Sequence, residues 1–156
     1  MTARAFTTTI EAGPNGRARL PVPFDPDEAW GPKAVHHVGG QVAGIRVRGR
    51  VERDGGGWAV AIGPSWLRDC AVGVGDRVEV SLVPEGPQRV DLAPDLAAAL
   101  DENQAAGEFF DALAQFYRKG YLRWIDATKR RPDVRAERIA EVVRLLADGV
   151  KERPKA

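Results

Sequence analysis

Cysteine and histidine, the side chains that most often serve as nucleophile and base, are scarce in this chain. There is one cysteine, Cys70, and there are two histidines, His36 and His37. Neighbouring residues of a strand point to opposite faces, so the two imidazoles cannot share a metal ion. Cys70 ends a short amphipathic segment, where a small buried residue is typical. We therefore predict no catalytic residue, no metal site and no cofactor, and expect Cys70 to be largely buried.

Two further motifs have a structural interpretation. The segment Gly73-Val74-Gly75-Asp76 lacks the third glycine and the Gly-Lys-Ser/Thr ending of a phosphate loop, and it precedes a strand instead of a helix. It is more typical of a turn in which the Asp76 carboxylate accepts a hydrogen bond from nearby backbone. Acidic pairs such as Asp25 with Asp27 are typical of helix starts.

A row of arginines is the first candidate binding surface. Arg46, Arg48 and Arg50 alternate with apolar or small residues, which predicts an arginine face on the outside of a strand. Such a row suits nucleic-acid phosphates, but it equally suits a strand kept soluble by charge. Residues 1–90 carry 11 basic and 10 acidic side chains, so nucleic-acid binding is the less favoured interpretation.

A second candidate surface lies in the C-terminal third, where aromatic residues at helical spacing are accompanied by basic ones. Its members are Tyr117, Tyr121, Arg123, Trp124, Lys129 and Arg135. They could line a groove between the N-terminal and C-terminal parts for an anionic or aromatic ligand or partner. The aromatic residues could instead pack the C-terminal part onto the rest of the chain. Both alternatives stay open.

Charge is divided unevenly along the chain. Residues 91–114 carry six acidic side chains and no basic one, whereas residues 115–156 carry 12 basic and six acidic ones. This pattern predicts either a basic surface for an anionic partner or acidic and basic helices that neutralise each other.

Composition limits the class of protein. The chain has 156 residues, 44% hydrophobic and 29% charged, which is typical of a folded domain with or without an appendage. A single cysteine and an N-terminus without an apolar signal core favour the cytoplasm. No apolar run approaches the roughly 20 residues that span a bilayer, so we expect no membrane association. We also expect a monomer or weak oligomer.

The first 90 residues are typical of short strands separated by glycine and proline. We predict strands at residues 5–10, 18–22, 34–38, 42–51, 58–62 and 77–83, and short helices at 26–30 and 65–70. The order strand, strand, helical turn, strand occurs twice. This repeat predicts that residues 17–38 and 58–83 superpose, as halves of a pseudo-symmetric barrel of six to seven strands.

From Leu92 onwards the pattern is helical. Four apolar groups at helical spacing follow Pro94, and Gly149 suits the end of the last helix. The sequence predicts an α+β protein: a β-barrel over residues 1–90, a helical bundle over 91–150 and a frayed end over 151–156.

These residues resemble known families. Residues 58–68 and 75–80 resemble the swapped-hairpin units of AbrB-type regulators and double-psi barrels. The whole chain resembles a bacterial family of unknown function in which such a barrel precedes a tail similar to the YdeI or OmpD-associated family, named for bacteriocin protection. The motifs that carry the likeness in the tail are Pro94-Asp95-Leu96, Ala99-Leu100, Tyr121, Trp124-Ile125, Lys129, Arg135 and Arg138-Ile139.

The resemblance implies a link to stress and a DNA-binding precedent for the barrel, since AbrB-like units bind DNA with arginines. We expect a binding or interaction module whose partner is an unknown protein or a small anionic ligand. The alternative is a DNA-associated regulator that uses Arg46, Arg48 and Arg50, and an uncharacterised enzyme comes third.

Overall fold

The computed structural model describes residues 3–154, which divide into two compact units, residues 3–84 and 85–154. The first unit is a sheet with two short helices and the second is helical, so the predicted α+β class is confirmed. The barrel unit contains β1 (Arg4–Thr9), β2 (Glu11–Ala12), β3 (Ala18–Val22), α1 (Pro26–Trp30), β4 (His36–Val42), β5 (Ile45–Asp54), β6 (Gly57–Ile62), α2 (Pro64–Cys70) and β7 (Arg77–Pro84). The helical unit contains α3 (Pro94–Glu102), α4 (Gln104–Ala112), α5 (Gln115–Asp126) and α6 (Pro132–Ala147).

The sheet curls into a nearly closed barrel. Its strand order is β1-β7-β4-β5-β6-β3-β2, and every ladder is antiparallel. The two outer strands of this order, β1 and β2, are separated in the chain only by Ile10. The Ile10 N–H donates to the Asp76 carbonyl at 2.9 Å, and its carbonyl accepts from the Gly75 N–H at 2.8 Å. One bent segment therefore pairs with β7 along its first part and with β3 along its second.

The strand pairing has the twofold pattern that the repeat predicts. β5 pairs with β4 up to Val51 and with β6 from Val51 onwards, just as the β1 and β2 segment pairs with β7 and then β3. The first half of the barrel is β1 to β4 and the second half is β5 to β7. If the β1 and β2 segment is exchanged with β5, β3 with β6 and β4 with β7, each ladder becomes another observed ladder or itself. The superposition of residues 17–38 on 58–83 stays a prediction.

Alternating apolar residues fill the barrel. Seven of them are at most 1% exposed: Ile10, Ala18, Leu20, Val38, Val42, Val60 and Leu82. Helix α1 begins where the Asp25 carboxylate accepts a hydrogen bond from the Asp27 N–H at 2.8 Å, and Pro26 occupies its first position. Its bounds match the prediction.

Two predicted strands have other bounds. The strand predicted at residues 34–38 is β4 (His36–Val42), which continues through Gly39 and Gly40, and the strand predicted at 42–51 is β5 (Ile45–Asp54). The hairpin turn comes later, at Ala43 and Gly44, both of which have positive φ. At Gly40, φ is +148° and an added Cβ would lie 1.9 Å from the Ser81 carbonyl oxygen. This glycine lets β4 approach β7 closely, which is a reason for glycine inside a strand.

The helical unit has its own core. Helix α6 packs against α3, α4 and α5 around residues that are at most 2% exposed: Leu96, Leu100, Phe110, Ile125, Val142 and Leu146. The four predicted helices are present, and Gly149 follows α6 with a φ of +74°. None of the helices within residues 3–154 is long and apolar enough to cross a membrane.

Candidate functional site

The aromatic residues predicted on one helix face lie on α5, but they differ in exposure. Tyr121 is 2% exposed, whereas Tyr117 and Trp124 are half-buried. The Tyr121 hydroxyl donates to the Val150 carbonyl at 2.6 Å, and burial raises the pKa of this hydroxyl. Tyr121 is therefore a core residue, and its predicted place in an open groove is wrong because the helical unit itself buries it.

The C-terminal residues Val150–Arg153, here called the strap, lie against this aromatic face. The Lys151 Nζ is 5.9 Å from the centroid of the Tyr117 ring. The guanidinium carbon of Arg153 is 3.8 Å from the centroid of the Trp124 ring. Residues 151–153 of the segment predicted to fray thus have defined contacts, while Lys155 and Ala156 lie outside the described residues.

A second arginine reaches the same indole from α6. The guanidinium carbon of Arg138 is 4.6 Å from the centroid of the Trp124 ring, and its Nη1 donates to the Trp124 carbonyl at 2.6 Å. We name Trp124, Arg138 and Arg153 the Trp124 cluster. In the part of the chain that the structure describes, neither guanidinium forms an ion pair. The cluster therefore presents two positive charges on one aromatic ring.

Arg135 is engaged elsewhere. Its Nε and Nη2 donate to the two carboxylate oxygens of Asp95 at 2.6 and 2.9 Å, and its Nη1 donates to Asp126 at 3.1 Å. The hydrogen bond from Asp95 raises the pKa of Arg135, and the same bond lowers the pKa of Asp95. Two carboxylates thus occupy three of the five N–H donors of Arg135, and the expectation that Arg135 contacts a ligand stays a prediction. This bridge between α3 and α6 is the predicted neutralisation of acidic by basic helices.

The two remaining basic candidates, Arg123 and Lys129, are exposed at the end of α5 and in the turn that follows. Within residues 3–154 neither side chain has a hydrogen bond or an ion pair. They add positive charge to the surface of the helical unit without a contact that fixes them.

The arginine row of the barrel lies on β5 as predicted. Arg46, Arg48 and Arg50 are exposed, while Val47 and Val51 face the core. The Arg50 Nη2 forms an ion pair with Glu52 at 3.1 Å, which neutralises part of the row.

The cysteine lies in different surroundings from those expected. Cys70 is half-buried, so the expectation that it is largely buried is wrong; α2 leaves the end of its last turn partly open. His36 is 3% exposed, and its Nε2 is 2.6 Å from the Asp27 Oδ1. This bond lowers the pKa of Asp27. The Asp76 carboxylate accepts from the Gly73 N–H at 2.8 Å, as the turn interpretation predicts.

Metal binding finds no support in the part of the chain from residue 3 to residue 154. No group of three or more His, Cys, Asp and Glu side chains lies close enough there to hold an ion.

Residue-based reasoning missed three arginines. Arg138 entered only through the family resemblance, Arg153 was placed in the frayed end, and Arg118 was not singled out. Arg138 is 14 positions from Trp124 and Arg153 is 29, and no helical periodicity links such distant positions. The available signal for the cluster was the presence of lysine and arginine near aromatic residues in the sequence. This signal does not identify which of the cations stack on an aromatic ring.

Comparison with protein-family models gives one match for each unit. Residues 6–82 match a domain of unknown function (DUF1905), and residues 89–149 match the family described as bacteriocin-protection, YdeI or OmpD-associated. The second match confirms the resemblance in the tail. No curated protein matches the chain.

Proposed function

We propose that this chain, which joins a domain of unknown function to a YdeI or OmpD-associated domain, is a binding module for an anionic group of a partner protein or small ligand. The Trp124 cluster is the proposed site. One observation carries the proposal: Arg138 and Arg153 lie over the same indole, at 4.6 and 3.8 Å, without an ion pair in residues 3–154.

The charge arrangement favours an anion. The two guanidiniums are closer together than the Debye length of about 10 Å at 0.1 M salt, so their repulsion is only partly screened. A bound anion offsets this repulsion. A guanidinium stacked on an aromatic face keeps its in-plane N–H groups available for charge-assisted hydrogen bonds.

We further propose that the module acts in the cytoplasm as a monomer or weak oligomer, without a cofactor, and that its role is related to stress. The barrel is, on this proposal, of the AbrB-like or double-psi type. The twofold strand pairing supports that assignment, and the name of the family matched by residues 89–149 supports the link to stress.

Nucleic-acid binding by the barrel is the second candidate. The exposure of Arg46, Arg48 and Arg50 on one face of β5 favours it. The ion pair between Arg50 and Glu52 reduces the charge of the row, so we rank this candidate below the Trp124 cluster.

Fluorescence anisotropy with two labelled probes, an acidic peptide that carries one phosphoserine and a short DNA duplex, tests both candidates. Replacing both arginines of the cluster, Arg138→Gln with Arg153→Gln, should weaken peptide binding at least about ten-fold, because hydrogen bonds to charged groups contribute about 1.5–3 kcal/mol each. Arg17→Gln with Arg130→Gln is the charge-matched control, since both arginines are exposed and neither side chain has a partner within residues 3–154.

Unchanged peptide affinity in the double variant would overturn the proposal. Tight DNA binding that is lost in Arg46→Gln but kept in the double variant would favour the barrel instead.

A further inference from the structure

We propose that the anion held by the Trp124 cluster is a phosphate group, and that the strap forms the movable half of its site, positioned by the Tyr121 hydroxyl. This inference rests on the proposed function, because it specifies the ligand and the construction of the same site. Arg138 is the fixed arginine, and Arg153 is the one that the strap delivers.

Arg138 is fixed by its bond to the end of a helix. The last carbonyls of an α-helix have no partner within the helix. The Trp124 carbonyl is one of these in α5, because the Thr128 N–H that could reach it donates to Ile125 instead. The Arg138 Nη1 satisfies the Trp124 carbonyl at 2.6 Å. This arginine therefore holds one position whether or not an anion is present.

The strap leaves α6 in a defined direction. The Gly149 N–H donates to the Leu146 carbonyl at 3.0 Å, and the Val150 N–H donates to the Leu145 carbonyl at 2.9 Å. With the positive φ of Gly149, these two bonds form a Schellman motif, which turns the chain back along the helix that it has left.

Tyr121 then holds the strap near α5. Its hydroxyl donates to the Val150 carbonyl at 2.6 Å, three residues before Arg153. Beyond Val150, the strap contacts are the stacking of Lys151 on Tyr117 and of Arg153 on Trp124. Exposed stacking of this kind contributes little on its own. Val150 itself packs against the core of the helical unit, so the position of Arg153 depends on this packing and on the Tyr121 hydroxyl. Because this hydroxyl touches no ligand, Tyr121 is a positioning residue.

Two positive charges select a phosphate over a carboxylate. A phosphate monoester carries a charge near −2 at neutral pH and three acceptor oxygens, so it can neutralise both guanidiniums. A carboxylate neutralises one. Glu141 on α6 is a competing carboxylate: Arg144 binds it at 2.5 Å, and this bond, with a smaller effect of the Arg153 charge, lowers the pKa of Glu141.

Titration of the full chain by NMR tests the inference. The probes are inorganic phosphate, a phosphoserine peptide, acetate and the unphosphorylated peptide, all at one ionic strength. The indole N–H signal of Trp124, identified by its loss in Trp124→Phe, reports binding. We expect both phosphate probes to shift this signal and to slow hydrogen exchange in the strap, while acetate and the unphosphorylated peptide do neither.

Tyr121→Phe should weaken phosphate binding roughly five-fold, the effect of losing one hydrogen bond, and should speed exchange of the strap amides. Tyr117→Phe is the matched control: it removes a hydroxyl from the same helix face, and that hydroxyl has no hydrogen bond within residues 3–154. Both readouts should stay within two-fold of the wild type. Circular dichroism establishes that each variant is folded.

The outcomes separate the inference from the proposed function. Phosphate binding that is equally strong in wild type and folded Tyr121→Phe would overturn the positioning role alone. Equal binding of acetate and phosphate would overturn the choice of phosphate. If no anion binds the wild type, the proposed function itself fails. A response to the phosphopeptide but not to inorganic phosphate would identify a phosphorylated protein as the source of the group.

Discussion

Arg118 is a buried arginine whose replacement should destabilise the helical unit strongly. It lies in the first turn of α5 and is 2% exposed. Its Nη1 donates to the carbonyls of Glu85 and Pro87 at 3.2 and 2.9 Å, and its Nη2 donates to the Asp111 carbonyl at 2.7 Å. One guanidinium thus joins the segment before α3 to the end of α4.

The magnitude follows from the partners that the substitution leaves behind. Arg118→Ala deprives three carbonyls of a charged donor. The Glu85 carbonyl keeps the Gln88 Nε2 as a donor at 2.5 Å, so two carbonyls lose their side-chain partner, and each buried acceptor left without a partner costs about 1–3 kcal/mol. The lost side chain also leaves a cavity beside Phe110, whose ring centroid is 5.1 Å from the guanidinium carbon. Part of this cost is offset, because burial opposes the charge and lowers the pKa of Arg118. We expect a net loss of about 3–5 kcal/mol, as for other broken buried charge contacts.

Urea unfolding followed by circular dichroism at 222 nm measures this loss, because the signal comes mainly from the helical unit. Arg118→Lys should recover only part of the stability, since one ammonium cannot reproduce the fork of the guanidinium. Arg130→Ala, an exposed arginine whose side chain has no partner within the described ranges, should change stability by less than about 0.5 kcal/mol. A loss below about 1 kcal/mol in Arg118→Ala would refute the reasoning.

Two further substitutions test the barrel. Gly40→Ala should cost about 3 kcal/mol or prevent folding, because its Cβ would lie 1.9 Å from the Ser81 carbonyl oxygen; Gly56→Ala, which meets nothing within 4 Å, should be nearly neutral in the same urea titration. Asp27→Asn should lower the melting temperature more at pH 6 than at pH 2.5. The His36 bond lowers the pKa of Asp27, so its stabilisation is present above the ordinary carboxyl pKa of about 3.9 and disappears as pH falls through the lower folded value. An equal gap at both pH values would contradict this explanation.

Features set by neighbouring residues were predictable from the sequence. Asp25 and Pro26 begin α1, and Gly149 ends α6, because capping depends on positions within a few residues of each other. Gly40 was misinterpreted because the reason for its glycine is the backbone at Ser81, which is distant in the chain. A local pattern cannot distinguish a glycine that ends a strand from one that permits close strand approach.

The candidate site was predictable in type but not in membership. Its aromatic and basic character followed from the sequence, and Trp124 belongs to the cluster that the structure forms. Tyr121 and Arg135 were included although one is buried and the other is paired with carboxylates. Arg138 and Arg153 were omitted from it because only the packing of α6 and the turn at its end bring them to the indole.

The twofold ring of the barrel has a consequence for fragments of this chain. Of the six ladders within residues 3–154, four join the first half of the barrel to the second: β1 to β7, β3 to β6, β4 to β5 and β4 to β7. A polypeptide that stops at Val42 therefore has unpaired strand edges along most of its length. Such edges associate with any compatible strand. Separate halves should accordingly remain unfolded or aggregate when alone and restore the ring by complementation when mixed.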